Sequence, residues 1–125
     1  MKSTRPVFLN LFAIRFPVVA VVSILHRVSG VVLFGASIYL LWILWLSLES
    51  EASFSNLKAT LDNPLHSIVL WFTLSFLGYH IIAGLRHLLM DLHIGDSLKI
   101  GRASALIVLV CSVVLSLAIG VWFWL

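Results

Sequence analysis

Charge is scarce in this chain. Eight Lys and Arg and five Asp and Glu make up 10% of its 125 residues, where a soluble domain carries about a quarter. One cysteine excludes an internal disulfide and a cysteine-only metal cage. There is no internal repeat, no low-complexity tract, no nucleotide-binding loop and no cysteine cluster. Apolar residues fill the space instead, at 62% of the chain with a mean hydropathy of +1.14. So short a chain leaves a large share of its surface outside, so a core cannot hide this excess. The bilayer is the solvent that accepts it. A soluble monomer, a disordered chain and a nucleic-acid module are thereby excluded, and the net charge of +3 reads as membrane orientation.

Three charge-free stretches set the spans. Residues 28–48 carry no charge, nor do 63–85, nor 103–125. A helix needs roughly 20 residues to cross the hydrocarbon. The expectation is an all-α chain with three transmembrane helices, over about 28–48, 65–85 and 103–125, each satisfying its own backbone in lipid. Pro17 suits a first helical position, so the first helix is expected to start near residue 17 and run roughly 47 Å. That exceeds the hydrocarbon thickness and calls for a tilt or a surface-lying first turn. Glu49–Asn63 reads as a polar external loop, and Asp91–Gly101 as an internal loop with Gly95 and Gly101 as turn residues.

Lys and Arg set the orientation. Lys2, Arg5, Arg15 and Arg27 precede the first span, and Arg86, Lys99 and Arg102 lie between the second and third. Lys58 alone falls in the first loop. The split of seven to one places the N-terminus and second loop in the cytoplasm and the C-terminus outside. Trp42, Trp45, Trp71, Trp122 and Trp124 then fall in the outer halves of their helices, as an interfacial belt. The first segment reads as neither a signal peptide, since Arg15 and Arg27 interrupt it, nor a mitochondrial transit sequence.

Ionisable groups at membrane depth are functional candidates. His80 is the clearest, about six residues or roughly 9 Å inside Arg86. Ala83 and Gly84 beside it are small enough to admit a flat group or another backbone. An axial haem ligand is one reading of His80; an interhelical hydrogen bond is the other. A haem held by two imidazoles needs a second His opposite. His26 and His87 are expected at the inner boundary and His66 near the outer end, which leaves the second ligand to another polypeptide. His66 and His80 lie 14 residues apart on one helix, the spacing of a dihaem cytochrome b. That reading is discounted, because His66 follows Pro64 at a helix start and a second such pair is absent.

Ser23 and Arg27 are i,i+4 neighbours on one face. They can hydrogen-bond a quinone carbonyl, and the Arg can stabilise charge on the reduced quinone; a snorkelling Arg is the plain alternative. His26 points about 100° away and can serve another partner, such as a haem propionate. Arg86, His87 and Asp91 either orient propionates or dock a peripheral subunit, or form the positive flank of the span. His93, Asp96 and Lys99 read as solvated loop residues, and Cys111 as a small packing residue.

Two stretches carry a pattern. RPVFLNLFAIRFPVVAVVSILHRVSG (5–30), with its R-P start and S-I-x-H-R-x-[ST]-G core, resembles the N-terminal signature of the succinate dehydrogenase cytochrome b556 family. HIIAGLRHLLMD (80–91) resembles that family's H-x3-G-x-R-H-x3-D signature. Order, spacing, span number and length agree, and I-R-F-P (14–17) is closer to proteobacterial members than to mitochondrial ones. The resemblance implies the membrane-anchor part of a heterodimeric helical bundle in a bacterial inner membrane. It implies His80 as an axial ligand of haem b, with the other ligand from a second hydrophobic anchor subunit. Ser23 and Arg27 are implied to line the quinone site, and His26, with His87, to stand near a haem propionate. FAD and iron–sulfur clusters are implied only in partners, a flavoprotein and an iron–sulfur subunit that pass electrons from succinate to quinone. An anchor of a quinol:fumarate reductase and a non-redox assembly subunit stay open as rivals.

Overall fold

The computed structural model describes residues 15–95 and 97–125. Lys2, Arg5, the 5–14 part of the first motif and Asp96 lie outside the described residues. The chain is all-α. Helix α1 runs Val18–Glu49, α2 Glu51–Leu61, α3 Pro64–Asp91 and α4 Leu98–Trp124. Helices α1, α3 and α4 are each long and apolar enough to cross a membrane. They pack together as an up-down-up trio, with α3 against both α1 and α4 and α1 also touching α4.

Local chemistry explains the boundaries. Pro17 sits in extended backbone just ahead of α1, and its carbonyl accepts from Ala20 and Val21. Asn63 caps α3 through its side chain, which accepts from the Leu65 N–H, and Pro64 supplies the first turn. Ser97 caps α4 in the same manner. Between α3 and α4, Gly95 takes a φ of +78°, a left-handed conformation glycine reaches without strain.

Two boundaries differ from the sequence reading. The segment 49–63 is not a loop: Ser50 caps an 11-residue helix by accepting from the Ser53 N–H. Its Leu57 is buried and Phe54 exposed, which gives a short amphipathic helix at the outer ends of α1 and α3. Helix α4 begins at Leu98, so Lys99, Gly101 and Arg102 belong to its first turns. Gly101 is therefore a buried helical residue and not a turn residue.

Burial is inverted relative to a soluble bundle. Most large apolar side chains point outward, and the interior is small: Val22, Ala83, Ala105 and Val108 form its core. Lipid tails are as apolar as Leu, so nothing drives large aliphatics inward, and small residues let the helices approach. Polar side chains turn inward to tie the helices together. The Tyr79 hydroxyl donates to the Val22 carbonyl at 2.8 Å, joining α3 to α1. Trp71 donates to the Ser116 carbonyl at 2.9 Å, and Ser75 and Ser116 share a 2.8 Å hydroxyl bond, joining α3 to α4. Because Ala83 is wholly buried where three helices meet, Ala83→Leu is expected to cost about 1–3 kcal/mol by overpacking, measurable as a lower unfolding midpoint in detergent.

Candidate functional site

The α1–α3 seam gathers three imidazoles. His26 of α1 stacks on His80 of α3 with ring centroids 4.2 Å apart and planes 22° from parallel. His87, two turns along α3, lies tilted against His26 at 5.1 Å. His26 lies over Gly84, one turn along α3 from His80 toward His87, and so contacts both rings.

Glycines make the close approach possible. A Cβ on Gly30 of α1 would meet Cε1 of His80 at 3.3 Å. A Cβ on Gly84 of α3 would meet Nε2 of His26 at the same distance. Each ring thus lies over the other helix's glycine. The small surface expected to admit a flat group beside His80 is taken by the His26 ring.

Ser29 orients His80. It is fully buried on α1, and its hydroxyl donates to the His26 carbonyl at 2.7 Å. A serine hydroxyl has one proton, and the carbonyl can only accept. The 2.8 Å contact between Ser29 Oγ and Nδ1 of His80 must then run from Nδ1–H to oxygen. In a neutral imidazole that leaves Nε2 with its lone pair exposed for ligation. His80 is only half-buried, and its Nε2 has no hydrogen-bond partner among the described residues. Sequence reasoning assigned Ser29 no role. It fills the [ST] place of the first motif, three residues after His26, and only the packing shows which ring it meets.

The donor set suits a haem iron. Among the described residues, no three His, Cys, Asp or Glu side chains are arranged to hold a metal ion. The imidazoles stack face to face, so His26 and His80 do not aim nitrogens at one metal from opposite sides. His80 offers a single ligand nitrogen, as an axial position requires, with its second nitrogen held by a hydroxyl.

Ser23 and Arg27 both lie on α1, half-buried and exposed respectively, about one turn apart. Among the described residues neither side chain is hydrogen-bonded, so their polar groups are free to meet something outside the chain. His87 and Asp91 form no ion pair with each other, and Asp91 is exposed. His66 is not a free, water-facing ring: its Nδ1 lies 2.9 Å from the Tyr39 hydroxyl. Arg86 is not a solvated flank either. It is buried between α3 and α4, bonded to Ser104 and to the Gly101 carbonyl.

Comparison with known proteins gives the site its context. The family model of the succinate dehydrogenase/fumarate reductase transmembrane subunit matches residues 1–119. The succinate dehydrogenase cytochrome b556 subunit of Coxiella burnetii is 39% identical over 125 residues, covering 99% of this chain and all of the relative. That of Paracoccus denitrificans is 30% identical over 92% of this chain and 88% of its own length. That of Rickettsia felis is 33% identical over 94% and 91%. In a double-mutant cycle, Ser29→Ala and His80→Phe are expected to couple by about 1 kcal/mol, the worth of one hydrogen bond, read from unfolding midpoints.

Proposed function

The chain belongs to the succinate dehydrogenase/fumarate reductase transmembrane subunit family, and we propose that it anchors succinate:quinone oxidoreductase while helping to bind haem b and quinone. The observation that carries the proposal is the relay from His80 Nδ1 through Ser29 to the His26 carbonyl. It is what an axial imidazole needs: one nitrogen pinned, the other bare.

The haem, when bound, supplies a one-electron centre near the quinone. His80 would be this chain's ligand to the haem iron, and a second hydrophobic anchor subunit would supply the other. Support for an outside ligand comes from the His26–His80 stack, which points ring faces at each other. His26, with His87 beside it, would hold the haem propionates. The Ser23 hydroxyl and Arg27 guanidinium hold a quinone carbonyl. Arg27 also offsets the negative charge that builds on that oxygen as electrons arrive, so protons can follow and quinol can leave. Flavin and iron–sulfur chemistry belong to the peripheral partners, because this chain has one cysteine and no nucleotide loop. The anchor positions and stabilises charge without forming covalent intermediates.

The chain is a multi-pass membrane protein. The seven-to-one division of basic residues supports an orientation with the N-terminus and the α3–α4 turn on the cytoplasmic side, and the bacterial relatives support a bacterial inner-membrane location. The three spans are then one anchor domain over 1–125. The names of the relatives favour succinate oxidation over the reverse reaction.

Two experiments test the proposal. His80→Ala is expected to abolish or shift the dithionite-reduced b-type band while the chain remains membrane-inserted; an unchanged spectrum and haem content rejects His80 as ligand. Arg27→Ala loses a charged hydrogen bond of about 1.5–3 kcal/mol, so quinone-linked turnover is expected to fall roughly ten- to a hundredfold. Dye reduction by the peripheral subunits is expected to hold; equal losses in both assays reject the quinone role.

A further inference from the structure

Arg86 occupies a different seam from the histidines. Six residues beyond His80 is 240° around the helix, so Arg86 faces α4 while His80 faces α1. Its side chain is 5% exposed. Nε donates to Ser104 Oγ at 2.9 Å and Nη2 to the Gly101 carbonyl at 3.1 Å. Nη1 is buried and has no hydrogen-bond partner. Both acceptors are neutral, so among the described residues nothing cancels the charge. A buried cation in that state is among the costliest arrangements a protein can hold. The cost falls when an anion joins it.

A cavity of about 360 Å³ adjoins the guanidinium. Arg86 and Ser104 are its polar lining, and Ile82, Leu89, Ile100 and Ile107 form apolar walls. Leu89, Ile100 and Ile107 are exposed on the surface that faces lipid. Gly95 of the α3–α4 turn closes one end, so the cavity starts where the two helices leave the membrane and continues along their apolar flanks.

We infer that this cavity binds an anionic phospholipid, with its phosphate on Arg86 and an acyl chain along the α3–α4 wall. Charge and shape together select the occupant. A free phosphate matches the cation and leaves the apolar walls unused. A neighbouring polypeptide's carboxylate also satisfies the cation, but it has no need of a long aliphatic channel open to lipid. A lipid uses both. Its headgroup completes the set of acceptors that Ser104 and Gly101 begin, and its chain removes a void from the helix seam. Nothing in this inference depends on haem or quinone binding.

The test uses the intact membrane complex in nanodiscs of equal phosphatidylglycerol and phosphatidylcholine, followed by detergent exchange and native mass spectrometry. One phosphatidylglycerol is expected to survive exchange with at least tenfold preference over phosphatidylcholine. Equal retention of the two overturns the inference, as does loss of the lipid to millimolar inorganic phosphate, which marks an anion site alone. Arg86→Gln is expected to lower retention at least tenfold with the haem spectrum unchanged; unchanged retention overturns the site. Should the variant not assemble, a photoactivatable phosphatidylglycerol decides on the unaltered complex. Labelling of Leu89, Ile100 or Ile107 supports the site, and labelling elsewhere alone, including on a partner subunit's helices, rejects it.

Discussion

Hydrocarbon offers no hydrogen bonds, and every polar group at membrane depth in this chain is arranged around that fact. The Ser29–His80 contact is the central case. A buried hydroxyl and a half-buried imidazole would each be costly alone, and together they satisfy one another and the His26 carbonyl. The same rule places Tyr79 on the Val22 carbonyl and Trp71 on the Ser116 carbonyl. These bonds run between helices, so satisfying the polar groups also sets the helix register. Register in turn sets the His26 ring over Gly84, between His80 and His87. The interior therefore owes its specificity to a few hydroxyls and rings, while its apolar core amounts to four small or medium side chains.

Much of this was legible in the sequence because hydropathy and charge report directly on a bilayer. Charge-free runs revealed the three long helices, and His80 stood out as an ionisable group among apolar neighbours. The rest was hidden for identifiable reasons. In sequence, Arg27 and Arg86 look alike, each a basic residue at the inner end of a span. Arg86 is buried in the α3–α4 seam and Arg27 is exposed, so they mark different things. The α2 helix was missed because its composition is polar, and local capping by Ser50 rather than hydropathy forms it. Ser29 was visible within a motif, yet a hydroxyl in a membrane helix usually bonds its own backbone, as Ser37 and Ser47 do here. Only the packing of α1 on α3 shows that Ser29 does both.

The stacked histidines leave no bis-imidazole pair between α1 and α3. In a bis-imidazole site the two rings meet the metal through their nitrogens from opposite sides. His26 and His80 instead present faces at 4.2 Å, an arrangement that fills the space between α1 and α3. The Nε2 of His80 has no hydrogen-bond partner among the described residues. Exposed Arg27 and half-buried Ser23 also lie on α1 without internal partners. Under the proposed function a partner helix packed there would complete both environments, tying ligand binding to assembly rather than to the folding of this chain.

Helix α3 thus carries two polar seams with opposite needs. Toward α1 it presents imidazole rings, one of them oriented by Ser29. Toward α4 it presents a fixed cation with an unspent donor. A guanidinium stays charged at any depth it occupies, so it cannot relieve burial by losing a proton as an imidazole can. Its relief has to come from geometry: neutral acceptors on α4 take two of its three nitrogens, and the third faces the need for an anion. Keeping that charge on the far side of α3 also matters for the histidines. A cation in direct contact with His80 would oppose positive charge on any metal bound there, whereas the intervening helix separates the two. The same α3 register that aligns His80 with Ser29 is what turns Arg86 away from it.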